Sequence, residues 1–206
     1  MAKHSVCKIT LLFLALFTFS SGIYAQNATK ILDTAAAKYK KAGGVKINYK
    51  YTLGSEHGTG VLKSDGNKFV NDTGNIIVWF NGKSLWTLVK ENEEVNLTNP
   101  TESEIAKLNP NSYLNIYKKG YEASKGKSTS VYHEVILQAT SAKATIQKII
   151  VKIDKKTYQP TYIHLTGKGL NSEINITQYQ TSQKFSVGTF TFNSKQYPDY
   201  ELIDLR

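Results

Sequence analysis

Beyond its first 25 residues this chain offers three histidines, His57, His133 and His164, and sparse carboxylates for covalent or metal chemistry. His133-Glu134 opens like a zinc-protease motif, which needs a second histidine on the same helical face. Leu137 stands in that position, so the motif fails. His133 and His164 read instead as strand residues among β-branched and aromatic neighbours. No Gly-x-Ser-x-Gly elbow or phosphate loop occurs, and carboxylates are too sparse on the strands for a glycosidase pair. Glu91, Glu93 and Glu94 suit a solvated hairpin tip better than a calcium site. Triplets such as Asn96-Leu97-Thr98 would matter only in a eukaryotic secretory pathway. The expectation is no enzyme, no cofactor and no metal.

Aromatic surface is what remains. In Ile76 to Pro100, IIVWFNGKSLWTLVKENEEVNLTNP, two aromatic-rich strand candidates flank Asn81-Gly82, a dipeptide suited to a type I′ hairpin turn. Trp79, Phe80 and Trp86 crowd that hairpin with no catalytic partner beside them. Such a wall fits a protein that holds something apolar.

Residues 1 to 25 read as a cleaved secretory signal. Lys3 and Lys8 make a positive start, Ile9 to Phe19 is apolar, and Tyr24-Ala25 precedes a cut at Gln26. The apolar run is shorter than the ~20 residues a spanning helix needs. The only cysteine, Cys7, precedes that run and cannot be a lipid-attachment site, so a soluble mature domain without disulfides is expected. About 180 residues then form one domain, 26–206. The chain is basic, with 26 Lys plus Arg against 16 Asp plus Glu, yet Arg206 is its sole arginine. Scattered lysines suit a solvated face rather than a nucleic-acid interface, with transient contact to anionic lipid as a weaker reading.

The elements that must position the aromatics follow from periodicity. Residues 27 to 42 predict an amphipathic helix, capped by Asn27 or Thr29, with Lys38, Lys40 and Lys41 in its last turn and Gly43-Gly44 ending it. Val45 to Leu53 then alternates apolar and polar, as a half-buried strand does. Further strands are predicted at Gly58–Lys63, Lys68–Asp72, Ile76–Phe80, Ser84–Val89, Glu94–Thr98, Thr129–Ala139, Thr145–Ile153, Pro160–Thr166, Leu170–Gln180 and Thr189–Phe192. Between the two β-rich halves lies a helical segment, with Thr101 and Glu104 at capping-box spacing and a short helix over Asn111–Lys119. The fold class is mainly β with an α lid. About eleven strands in hairpin order favour a strongly curved antiparallel sheet, an incomplete β-barrel covered by the N-terminal helix and the central segment.

This order resembles the LolA family of periplasmic carriers for outer-membrane lipoproteins, in a form similar to Bacteroidetes members. The residues that carry the resemblance are Gly60-Val61-Leu62-Lys63 leading to Phe69, the turn Asn81-Gly82-Lys83-Ser84-Leu85-Trp86, and the closing Phe190-Thr191-Phe192. The resemblance implies an incomplete barrel that shields acyl chains in transit. It also implies an inner-membrane, ATP-driven release complex that gives up the cargo and an outer-membrane acceptor that takes it. Family members often carry an Arg-Pro pair just ahead of the position of Phe69, and that arginine helps hold the lid closed. Here the stretch is Ser64-Asp65-Gly66-Asn67-Lys68.

The expected cavity lining is Tyr49, Tyr51, Phe69, Trp79, Trp86, Ile149, Val151 and Phe190. The expected lid contacts are Ile31, Leu32, Ala35, Tyr113 and Leu114. A register slip of one residue would turn the strand set to the other face. The first functional expectation is a monomeric periplasmic carrier of lipoprotein acyl chains. The alternative is a periplasmic protein-interaction or envelope-stress sensing module with a packed interior.

Overall fold

The computed structural model describes residues 20–101, 104, 105, 108, 109 and 114–206, with side chains from residue 27 onward. The charged start and apolar run of the leader lie outside that range, and so does Tyr113.

Helix α1 spans Ser20–Lys41 and starts earlier than the expected Asn27 cap. Its last turn holds Lys38, Lys40 and Lys41, where the helix dipole favours cations. Gly43, at φ +69°, turns the chain out of the helix. Twelve strands follow: β1 Gly44–Leu53, β2 Glu56–Asp65, β3 Lys68–Asp72, β4 Ile76–Phe80, β5 Leu85–Val89, β6 Glu94–Thr98, β7 Tyr121–Lys125, β8 Tyr132–Ala139, β9 Ile146–Asp154, β10 Pro160–Gly167, β11 Leu170–Gln183 and β12 Glu201–Asp204. They form one sheet in the order β12-β6-β5-β4-β3-β2-β1-β11-β10-β9-β8-β7, which does not close on itself. The architecture is the expected one: mainly β, an incomplete barrel, with a helical cover.

All neighbours in the sheet are antiparallel except β12, which joins β6 in parallel. Two meanders, β1–β6 and β7–β11, meet where β1 pairs with β11. Three further predicted features differ from the outcome. Thr189–Phe192 is no strand: Val187–Phe190 forms a 3-10 turn in a strap that leads from β11 to β12, and Phe190 is buried by packing rather than by pairing. Of the helix expected over Asn111–Lys119, residues 111–113 lie outside the described range, and the rest is 3-10 at Leu114 and over Ile116–Lys118 rather than α-helix. The Asn81-Gly82 turn is not type I′, because Gly82 alone takes a positive φ (+100°). Asn81 Oδ1 accepts from the N–H groups of Lys83 and Ser84 at 3.0 and 2.9 Å, an arrangement that satisfies the turn without left-handed backbone at Asn81. The capping box is present: Thr101 N donates to Glu104 Oε2 at 2.7 Å, and Glu104 N to Thr101 Oγ1 at 3.3 Å.

The core divides by sheet face. On the face under α1, here the inner face, Ala28, Ile31, Leu32 and Ala35 pack with Leu114, Val135, Leu137, Ile149 and Val151. A second inner cluster gathers Val45, Ile47, Tyr49, Leu62, Phe69 and Phe80, against which Ile105 and Leu108 of the central segment pack. On the outer face the strap buries Val70, Ile77, Trp79, Leu88 and Val95 under Phe190.

Candidate functional site

Strand register decides which side chains share a surface, because alternate residues point to opposite faces. Across β8, β9, β10, β11 and β1, the row Val135, Val151, Ile163, Ile174, Tyr51 lies on the inner face. Across β11, β1, β2, β3 and β4 runs a second inner row: Tyr179, Ile47, Leu62, Asn71, Val78. Neither row contains a charged residue. Ile174 packs against both inner clusters, and so does Tyr39 of α1. The inner face is therefore apolar across both clusters, interrupted by Asn71, whose Oδ1 accepts from Tyr49 Oη.

Among the expected lining residues, Tyr49, Tyr51, Phe69, Ile149 and Val151 share this inner face. Trp79, Trp86 and Phe190 do not join them. Val70, Trp79 and Trp86 stand opposite one another on the other side of the sheet, and Phe190 reaches that side from the strap. Trp79 meets Phe192 and Tyr197 edge-on, with ring centroids 5.6 and 5.7 Å away. In β3 and β4 residues of both parities are buried and apolar, so composition could not tell the two faces apart. Ile163, Ile174 and Tyr179 were missed as inner residues: alternation was the signal for Ile163 and Ile174, whereas Tyr179 reaches the same face only through the bulge between Ile176 and Gln178 in the pairing with β1.

Tyr49 and Tyr51 lie flat along the sheet because β2 has glycine opposite each: Gly60 faces Tyr49 and Gly58 faces Tyr51. A Cβ at either glycine would overlap the phenol ring. The freed space lets Tyr49 Oη donate to Asn71 Oδ1 on β3 at 2.6 Å. Burial pushes the Tyr49 phenol up to about 12, and burial likewise raises Tyr179.

The expected lid contacts Ile31, Leu32, Ala35 and Leu114 gather in one cluster on the inner face. Polar bonds at the helix margin supplement it. Tyr39 Oη and Ser64 Oγ are 2.7 Å apart, which ties α1 to the end of β2. That bond falls at the start of the Ser64–Lys68 stretch. Tyr117 Oη donates to Asp33 Oδ1 at 2.6 Å, and Lys118 Nζ lies 3.1 Å from the same oxygen. The Tyr117 bond, followed by Lys118, holds the Asp33 carboxyl below the usual range. A groove of about 810 Å³ runs beside α1, walled by Ala36, Tyr39 and the turn at Asp65 to Asn67. A smaller one, about 280 Å³, lies near the other end of the helix beside Lys30, Lys125 and His133. Among the described residues no three His, Cys, Asp or Glu side chains cluster as metal ligands, and no helix is long and apolar enough to cross a membrane.

The model of the family described as outer membrane lipoprotein carrier protein LolA matches residues 16–169. No curated protein matches the chain. Among solved structures, an uncharacterized conserved protein from Thermus thermophilus superposes with a TM-score of 0.60 at 7% identity, covering 86% of this chain and 99% of its own. A domain provisionally described as an outer membrane lipoprotein-sorting protein from Vibrio parahaemolyticus gives 0.45 at 11%, covering 81% and 97%. A LolA superfamily protein from Nitrosomonas europaea gives 0.41 at 12%, covering 80% and 97%. At 7% identity the likeness to the Thermus thermophilus protein is one of fold.

Proposed function

Because this chain belongs to the LolA family of outer membrane lipoprotein carrier proteins, we propose that it is a soluble periplasmic carrier that binds lipoprotein acyl chains on the inner face of its sheet. The observation that carries the reading is the uncharged row Val135, Val151, Ile163, Ile174, Tyr51 beneath a helix that touches it partly through alanines. Each buried methylene is worth ~0.8 kcal/mol, so one long acyl chain gains roughly 10 kcal/mol on such a surface. That gain is enough to compete with a bilayer and to keep the tail out of water.

Small side chains at the helix contact suit a lid that lifts. Ala28 and Ala35 are fully buried yet offer little area to hold the helix down. Release then requires an acceptor that binds the tail better, or a partner that favours the lifted helix. An inner-membrane release complex and an outer-membrane acceptor are the partners this reading assigns.

Native mass spectrometry of protein purified from envelope extracts tests it. Bound lipopeptide or diacylated species is the expected result. Protein that is consistently empty and fails to bind a fluorescent fatty acid would overturn the carrier reading and leave an interaction module with a packed interior.

A further inference from the structure

The outer face carries a third cleft, on the side of the sheet away from the surface proposed for acyl chains. Lys46 on β1 and Lys63 on β2 are directly opposed across the strand pair. They head a row that continues through Val70 and Trp79. The strap after β11 crosses above this row and leaves a cleft of about 910 Å³ between itself and the sheet. Like charges directly opposite on a strand pair destabilise it. Among the described residues neither ammonium has a carboxylate within ion-pair distance. The carboxylate in the cleft, Asp72, turns Oδ1 toward its own turn and accepts from Gly74 N at 2.8 Å. An anion between the two lysines would remove the repulsion and gain two charge-assisted hydrogen bonds.

The rest of the cleft says what the anion is attached to. The strap contributes Thr189, Thr191 and Asn193, which offer hydroxyl and amide partners, while Val70 and the Trp79 edge supply an apolar floor. Hydroxyl-rich groups with C–H faces match such a mixed wall. We propose that this outer cleft binds a phosphorylated polyhydroxyl group, whether a free sugar phosphate or a polyhydroxylated phospholipid headgroup.

Calorimetric titration of the full chain with glucose 6-phosphate, and flotation with phosphatidylglycerol against phosphatidylcholine vesicles, separate the two sources. Saturable binding in either arm, weakened about tenfold in Lys46→Gln and Lys63→Gln, is expected from the loss of one charge-assisted bond. Fatty-acid probe binding should be unchanged in both variants, which shows that they remain folded and that the inner face is separate. No binding in either arm overturns the proposal. So does binding that both lysine variants retain, or inorganic phosphate that binds as tightly as the sugar phosphate.

Discussion

Tyr49 Oη reaches Asn71 Oδ1 at 2.6 Å by crossing over Gly60, so one hydrogen bond spans β1, β2 and β3. Tyr49→Phe should cost about 1 kcal/mol, the net worth of such a bond. Gly60→Ala should cost more, about 1–3 kcal/mol, because the new Cβ collides with the phenol ring. Combining Gly60→Ala with Tyr49→Ala should recover part of the glycine penalty. Urea unfolding of the parent, Gly60→Ala, Tyr49→Ala and the double variant checks this, and strict additivity would count against the stacked arrangement.

The helix cover is anchored apolarly at one place above all. Leu32 is fully buried between α1 and the inner face. Leu32→Ala should destabilise by about 2–5 kcal/mol if α1 is integral to the global fold. If α1 lifts as a unit, the loss appears instead as faster hydrogen exchange in 28–40, with the sheet amides unchanged. Tyr117→Phe, which cuts the bond to Asp33, should accelerate exchange over the same residues.

Binding should map to one face. Ile174→Trp fills the middle of the inner row and should abolish uptake of a fluorescent fatty acid. Trp79→Phe, on the outer face, should leave uptake within about twofold of the parent, since distant sites contribute independently. Both tryptophans stand on that outer face, so acyl chains brominated along their length should barely quench them. Strong quenching would place the acyl chain on the wrong side of the sheet for this reading.

Acid should weaken the fold through His133. Its Nδ1 is buried with no hydrogen-bond partner among the described residues. Burial, followed by repulsion from Lys155 and Lys125, holds its pKa below the ordinary 6.5. The fold therefore favours the neutral ring: that stability is present above pH 6.5 and is lost as pH falls below it. His133→Phe should flatten the fall in urea midpoint between pH ~7 and ~5. An unchanged profile would remove His133 as the cause.

At the alkaline end the sign reverses. Burial raises the Tyr49 phenol to about 12 against its ordinary 10.0, so the fold favours the protonated ring. That contribution is complete below pH 10 and disappears as pH rises through about 12. The urea midpoint of Tyr49→Phe should accordingly fall less than that of the parent above pH 10.

Periodicity alone determined most of the architecture. The strict alternation of Val45 to Leu53, the helical spacing of Ile31, Leu32 and Ala35, and the Thr101–Glu104 box are local patterns, and each folds as its own chemistry dictates. The short strand Tyr121–Lys125 was not legible, because Glu122, Ser124 and Lys125 give it little apolar content. Only its ladder with β8 makes it a strand. The tail Glu201–Asp204 pairs with a segment about a hundred residues earlier, which no local pattern announces.

Only the tertiary structure could choose between the faces of the sheet. In β3 and β4 Phe69, Val70, Val78 and Trp79 are all buried, so alternation is lost and both parities look like core. The strap settles the matter by covering Val70 and Trp79 from outside, leaving Phe69 and Val78 to the helix side. Hydrophobicity drives burial without direction; which partner buries a residue depends on where the chain returns, a long-range property that residue types do not record.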